Sequence, residues 1–283
     1  MKKSIVVLGP CGVGKSLIAS ALSEKTKLPM IDTDDLLFFI EAEYRGLISQ
    51  SPKMQQYFIE TQIDELKSIK RDIPLTEDET KKEISLVYEI VDLYRFYNSL
   101  LGGLKQFYKD FYDYHNSIDK CKSYYDEVYY LNKFSFDVLN KIFSTSDQQF
   151  IISPPASFGW NSINFFHPKI QLLQKQIGNF LNKHNTVFLQ LGQDYPIRNP
   201  ANDISVNNNL FLKRLKNYYK YANLEISTND LFFQPENEFL KQRTWLNVRE
   251  TLTKDKLKNR SEISNICEQI IYHYECENEN NSI

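Results

Sequence analysis

Short apolar runs alternate with longer stretches of helical periodicity at both ends of this chain. The first run covers residues 4–8 and is rich in β-branched residues, and the stretch that follows it from Leu17 to Lys27 has apolar positions three and four residues apart. Four further runs predict strands, at 28–31, 149–152, 186–191 and 224–226. Helices are predicted between and after them, at 36–47, 55–70, 169–183, 210–222 and 261–274, the last with Ser261 as its N-cap. This alternation is typical of an α/β fold, so we expect a parallel sheet of about five strands flanked by helices.

The middle of the chain has a different pattern, because strand and turn signals are almost absent from Glu77 to Phe143. Apolar residues recur there at steps of three and four, which predicts two long amphipathic helices folded back as a hairpin near Asn116 to Lys120. Gly102 and Gly103 interrupt the first helix, where we expect a kink or a point of close packing. The many Tyr and Phe residues of this region favour a core, and a surface for a partner is the alternative.

Length, composition and charge narrow the class of protein. With 283 residues the chain allows one large or two modest domains, and we divide it into a core of 1–75 and 147–283 and a helical insertion over 76–146. A net charge of −2 gives no general attraction to nucleic acid. The four cysteines form no C-x-x-C pair, so neither a zinc site nor a disulfide framework is indicated. The first apolar run is too short for a signal peptide and no stretch has the length of a membrane span, so we expect a cytoplasmic protein without a membrane partner.

The residues between the first strand and the first helix carry the clearest chemical signal. They read Gly9-Pro10-Cys11-Gly12-Val13-Gly14-Lys15-Ser16, with Leu17 next, and fit the phosphate-loop pattern G-x-x-x-x-G-K-[ST]. Such glycines let backbone N–H groups converge on a phosphate, and the helix N-terminus adds partial positive charge. We expect Lys15 to reach the β- and γ-phosphates of a nucleotide and Ser16 to bind magnesium. The alternative is a plain glycine turn, which the strand before it and the helix after it disfavour.

Two carboxylates follow the second predicted strand. Alternate residues after a strand can point the same way, so Asp32 and Asp34 are candidates to face the γ-phosphate together. One would hold magnesium through water, and the other would orient a substrate hydroxyl and take its proton. The alternative is that Asp32-Thr33-Asp34-Asp35 is only an N-cap cluster for the next helix. Carboxyl ends of parallel strands share one edge of the sheet. One crevice at that edge should therefore be lined by this segment, the phosphate loop, residues 153–156 and the chain from Gln193 onward.

Two arginines complete the set of candidates. Arg198 lies in the loop after the fourth predicted strand, where a mobile arginine would stabilise charge on the γ-phosphate. Arg214 lies on the predicted helix 210–222 and could bind an acidic substrate group bidentately. The alternatives are a solvated loop arginine for Arg198 and, for Arg214 with its lysine neighbours, a solvated helix face.

Together these motifs resemble shikimate kinase and its relatives among the small P-loop kinases. The phosphate loop fits the form G-x-x-G-x-G-K-S, and Leu28-Pro29-Met30-Ile31-Asp32-Thr33-Asp34 looks like the family's second strand and D-[ST]-D motif. Residues 214–222 and the following 226–228 more loosely resemble its R-x-x-x-Y-x-x-x-A helix and last strand.

The resemblance implies a P-loop NTPase fold with ATP and Mg²⁺ as cofactors and a nucleotide-binding loop over 9–17. It also implies a role for each candidate: Lys15 in catalysis, Asp32 beside Ser16 at the magnesium, Asp34 at the acceptor hydroxyl, Arg198 as lid arginine, and Arg214 at a substrate carboxylate. The acceptor half departs from the family, since Ser153-Pro154-Pro155 replaces a glycine triplet and the third helix lacks the expected arginine. We therefore expect a rebuilt acceptor site.

The sequence thus predicts an ATP-dependent kinase that transfers the γ-phosphate to a hydroxyl of a small molecule. The alternative is a catalytically degenerate nucleotide-binding protein whose helical insertion binds a partner or a second copy of the chain. A nucleic-acid end kinase is a third interpretation, which the near-neutral charge and the acidic C-terminal tail disfavour.

Overall fold

A computed structural model describes residues 3–9, 13–68, 77–122, 124–158, 168–190, 220–228 and 260–280. The chain divides into two compact units, one formed by Met1–Thr33 with Ser117–Ile283 and the other by Asp34–Asn116. The division into a core and an insertion over 76–146 stays a prediction.

Among the described residues, five strands form one fully parallel sheet in the first unit. They are β1 Ile5–Leu8, β2 Met30–Asp32, β3 Ile151–Ser153, β4 Asn185–Gln190 and β5 Leu224–Ser227. Their order is β2-β3-β1-β4-β5, and Ile5 of β1 is in register with Ile151 on one side and Asn185 on the other. All five predicted strands are present within a residue or two of their expected bounds, which confirms the parallel α/β sheet. The carboxyl ends of β1 to β4 therefore lie along one edge.

The described helices are α1 Lys15–Thr26, α2 Thr33–Tyr44, α3 Pro52–Ser68, α4 Glu77–Leu100, α5 Tyr108–Ile118, α6 Tyr124–Thr145, α7 Pro168–Leu181 and α8 Arg260–Asn280. In the first unit, α1 and α8 pack together against the sheet, where Ile18, Val187 and Ile270 are buried in one hydrophobic cluster. At its edge Lys25 Nζ lies 2.7 Å from both Ser264 Oγ and Glu268 Oε1. No helix within the described ranges combines the length and the hydropathy needed to cross a membrane.

The predicted hairpin of two long helices is wrong in one respect, because the first helix is broken. The helix α4 ends at Leu100, a 3₁₀ turn covers Leu104–Phe107, and α5 follows. Gly102 and Gly103 separate them with φ values of 65° and 106°, which residues with a Cβ rarely adopt. The expected weak spot is thus the place where the chain leaves the helix. A helix end within the expected range 116–120 is present, since α5 ends at Ile118, and the folding back of the two helices as a hairpin stays a prediction.

The second unit has an aromatic core, which confirms the core interpretation for the first predicted helix. Phe39, Tyr94, Tyr97, Phe107 and Phe111 are all at most 2% exposed. The ring centroid of Phe39 lies 5.9 Å from that of Tyr94 and 5.9 Å from that of Tyr97. Aromatic pairs at this separation add to the burial of apolar area, so these rings hold α2 against α4.

A few helix ends differ from expectation. The helix α8 begins at Arg260, so Ser261 lies inside its first turn rather than at the N-cap, and the helix continues to Asn280, beyond the predicted end at 274. Lys220 and Tyr221 form a turn instead of ending a helix, while residues 210–219 of the predicted helix 210–222 lie outside the described residues.

Candidate functional site

The turn between β1 and α1 depends on two glycines. Gly9 is buried directly after β1 with φ 153°, and a Cβ there would lie 2.6 Å from Leu189 O and 2.7 Å from Val13 Cγ2. Gly14 has φ 86° and precedes the first residue of α1, where a left-handed conformation suits glycine. Pro10, Cys11 and Gly12 lie outside the described residues. The two ends of the loop therefore have the close approach and the left-handed turn that the phosphate-loop pattern requires.

The helix after this turn presents its positive end to the carboxyl edge of the sheet. It begins at Lys15, two residues earlier than the apolar pattern predicts, and has no acidic residue in its first turn. Lys15 and Ser16 are half-buried, whereas Val13 and Leu17 are buried in the core beneath them. The first N–H groups of a helix have no partner within the helix, and together with an ammonium at the same end they favour an anionic ligand.

The Ser16 side chain joins α1 to the end of β2. Its Oγ donates a hydrogen bond of 2.7 Å to Asp32 Oδ2, and Asp32, the last residue of β2, is 5% exposed. A buried carboxylate is costly unless it is hydrogen-bonded, so this contact stabilises Asp32 in place. The sequence predicted both residues at a magnesium ion, and the structure brings them together.

Ser153 is a third polar residue at this point, and it was given no role from the sequence. It ends β3 in register with Asp32 and is 1% exposed, and its Oγ lies 3.4 Å from Ser16 Oγ. Its carbonyl oxygen accepts a long hydrogen bond of 3.4 Å from Thr33 Oγ1. The signal that could have identified Ser153 is a polar residue that closes a buried strand at the carboxyl edge of the sheet.

The donor set formed by Ser16 and Asp32 fits a magnesium ion. Mg²⁺ prefers oxygen ligands and in phosphate-transfer sites uses one or two carboxylates with substrate phosphates and water. Within the described part of the chain no group of three His, Cys, Asp or Glu residues could hold a metal by itself. A hydroxyl and a carboxylate at 2.7 Å therefore suit a cation whose other ligands come from a nucleotide and from water.

Asp34 is placed differently from the geometry that the sequence argument assumed. The backbone turns helical at Thr33, so the alternation of an extended chain does not reach Asp34, and that premise is wrong. Asp34 and Asp35 lie in the first turn of α2, where carboxylates stabilise a helix N-terminus, and Asp34 is exposed. Its role at an acceptor hydroxyl stays a prediction. Arg198 and Arg214 lie outside the described residues, so their roles also stay predictions.

In comparisons with known proteins, no protein-family model and no curated protein sequence matches this chain.

Proposed function

We propose that this chain is an ATP-dependent phosphotransferase that transfers the γ-phosphate to a hydroxyl of a small molecule. The observation that carries the proposal is the hydrogen bond of 2.7 Å between Ser16 and Asp32 beside the glycine turn after β1. A serine that follows the G-K pair and also contacts a buried carboxylate has the arrangement needed for a nucleotide bound with magnesium.

In this proposal the triphosphate binds at the N-terminus of α1. Backbone N–H groups of the turn and of the first helical turn donate to phosphate oxygens, and the Lys15 ammonium reaches the β- and γ-phosphates. Gly9 has no room for a Cβ and Gly14 has a left-handed conformation that suits glycine, so the backbone of the turn can come close to the phosphates. The nucleotide is thus held mainly by main-chain groups.

Ser16 and Asp32 would hold the magnesium ion, which when bound offsets negative charge on the β- and γ-phosphates. The Asp32 carboxylate supplies the negative charge that attracts a divalent cation, and the Ser16 hydroxyl supplies a neutral oxygen. The burial of Asp32 keeps water away from one side of that carboxylate and so strengthens its interaction with a cation.

The transfer step requires a group that orients the acceptor. Asp34 carries this predicted role: it accepts the hydroxyl proton while the acceptor oxygen bonds to the γ-phosphorus and the bond between that phosphorus and the β,γ-bridging oxygen breaks, which releases ADP. Arg198 would stabilise the charge that spreads over the phosphoryl oxygens.

The test combines binding and turnover on the full chain. Calorimetry with ATP and magnesium, followed by incubation with a panel of hydroxylated metabolites, is expected to show uptake of ATP and formation of ADP. Lys15→Ala should lose ATP binding and turnover, with the exposed Lys53→Ala as its control. Asp34→Asn should keep ATP binding and lose transfer, with Asp35→Asn in the same helical turn as its control.

Two outcomes would contradict the proposal. If the wild-type chain takes up neither ATP nor GTP in the presence of magnesium, the phosphate-loop interpretation is wrong. If it binds ATP tightly but produces no ADP with any acceptor, the catalytically degenerate nucleotide-binding protein is the better description.

A further inference from the structure

Ser153 and Asp32 occupy equivalent positions at the ends of two neighbouring strands. They are register partners in the parallel pairing of β2 with β3, so their side chains leave the sheet on the same face. Ser16 meets them from the first turn of α1, with its Oγ 2.7 Å from Asp32 Oδ2 and 3.4 Å from Ser153 Oγ. Three oxygen-bearing side chains from three different elements therefore converge at the carboxyl edge.

The number of hydroxyl protons determines which residue donates in each of these contacts. A serine hydroxyl has one proton and two lone pairs, and an ionised carboxylate only accepts. Ser16 donates its proton to Asp32, so in the contact between the two hydroxyls the donor is Ser153. With one lone pair of Ser16 Oγ facing the Ser153 hydroxyl, the second is left for a cation.

We propose that Ser153 is a positioning residue, which orients the Ser16 hydroxyl toward the magnesium ion of bound ATP. The inference rests on the proposed function, because it concerns the same site. At 3.4 Å the contact between the two hydroxyls is long, so each can still adjust when a ligand binds. Ser153 restricts the rotation of Ser16 and lowers the cost of ordering that hydroxyl when ATP binds with its metal.

The backbone that carries Ser153 is held on both sides, which suits such a role. Pro154 and Pro155 follow it with fixed φ angles, and Phe158 N donates to Pro155 O at 2.9 Å. Asn132 of α6 forms a reciprocal pair with Ser157: its Nδ2 donates to Ser157 O at 2.9 Å, and Ser157 Oγ donates to Asn132 Oδ1 at 3.0 Å. Both members of that pair are more than 90% buried.

The experiment compares ATP affinity with and without magnesium by calorimetry on the full chain. For the wild type, the ratio of the Kd for ATP in EDTA to the Kd for ATP in magnesium measures how much the metal contributes to ATP affinity. In Ser153→Ala this ratio is expected to fall about threefold to tenfold, the effect of one lost hydrogen bond, while the Kd in EDTA is unchanged. Ser157→Ala is the matched control, because it removes a buried hydroxyl from the same loop without contacting Ser16.

Each outcome distinguishes the inference from the proposed function. If the wild type does not bind ATP, the proposed function fails. If the wild type binds ATP more tightly with magnesium and Ser153→Ala has the same ratio of Kd values as the wild type, this inference alone is overturned. An equal loss in Ser157→Ala would also overturn it, since the effect would then be a general loosening of the loop. Ser153→Cys, which keeps the volume with a weaker donor, serves if the alanine variant does not fold, and it should also lower the ratio.

Discussion

A Cβ on Gly9 would lie 2.6 Å from the carbonyl oxygen of Leu189, which is closer than two such atoms come in proteins. The contact joins the start of the glycine turn to the backbone of β4, which cannot move aside without disturbing its pairing with β1 and β5.

Gly9→Ala should destabilise the chain by about 2–4 kcal/mol and abolish ATP binding, because the turn must shift away from β4. Urea unfolding and calorimetry measure the two effects. Gly46→Ala is the control, since Gly46 also has a positive φ, of 72°, but an added Cβ meets nothing within 4 Å. The free energy of unfolding of Gly46→Ala should fall by only about 1 kcal/mol. Equal losses in the two variants would contradict the prediction.

The sheet could be predicted from the sequence because its strands are short runs, and the three in its middle, β3, β1 and β4, are almost wholly buried. All four residues of β1 and five of the six of β4 are buried, and a parallel sheet covered on both faces requires this pattern. The break between α4 and α5 was harder to predict. Periodicity continues through Leu101 and Leu104, and only the left-handed conformations of Gly102 and Gly103 show that the helix stops.

The site was partly predictable for a related reason. Ser16 belongs to a local pattern whose chemistry is known, and Asp32 follows a strand. Residues 153–156 were expected at the same crevice, but the direct contact of Ser153 with Ser16 depends on the order β2-β3-β1, which a sequence pattern does not show. The helical start at Thr33 escaped prediction as well, because Thr33-Asp34-Asp35 suits both an extended segment and a first helical turn.

Asp32→Asn should remove most of the effect of magnesium on ATP affinity while the chain stays folded. The amide keeps an oxygen that can accept from Ser16, so the structural contact is retained, but the negative charge that attracts the cation is lost. The ratio of the Kd values in EDTA and in magnesium is expected to fall at least tenfold. Asp137→Asn is the control, because Asp137 is a partly exposed carboxylate on α6 that pairs with Lys133. A variant with an unchanged ratio would show that Asp32 is only structural.

Glu43 should be the most sensitive polar residue of the second unit. It is 7% exposed and accepts hydrogen bonds from Tyr94 OH at 2.7 Å, Tyr108 OH at 3.0 Å and Asn98 Nδ2 at 3.3 Å. Burial and the Glu43 carboxylate raise the pKa of both tyrosines, so their hydroxyls stay protonated as donors. Loss of the carboxylate would leave the buried Tyr94 hydroxyl and the half-buried Tyr108 hydroxyl without this acceptor, and Asn98 Nδ2 would keep only its long contact of 3.4 Å to Tyr94 O.

Glu43→Leu is therefore expected to cost about 3–5 kcal/mol in urea unfolding, and Tyr94→Phe about 1–2 kcal/mol. Glu41→Leu on the same helix is the control, because the one salt bridge of Glu41 within the described ranges is a solvent-accessible pair with Arg45, and its loss should cost less than about 1 kcal/mol. If Glu43→Leu costs no more than Glu41→Leu, the network does not stabilise the unit.

His184 should make the stability of the chain depend on pH in the acid range. Its ring lies between those of Phe143 and Phe180, with centroids 4.7 and 4.6 Å away, and among the described residues its buried Nδ1 has no hydrogen-bond partner. Burial lowers its pKa from 6.5 to about 4, with smaller contributions from the positive charges of Lys183 and Lys3. The folded chain thus favours the neutral ring.

Between pH 6.5 and about 4, His184 is protonated in the unfolded chain but not in the folded chain. The stability that the neutral ring contributes is therefore complete above pH 6.5 and declines as the pH falls toward 4. After allowance for solvent screening of a partly exposed ring, the loss amounts to about 1–2 kcal/mol. Carboxylates also change stability in this range, so the measurement is the difference between wild type and His184→Phe in urea unfolding at pH 7, 5.5 and 4. As the pH falls, the free energy of unfolding of His184→Phe should rise relative to that of the wild type. A difference between the two that does not change with pH would mean that His184 does not titrate in this environment.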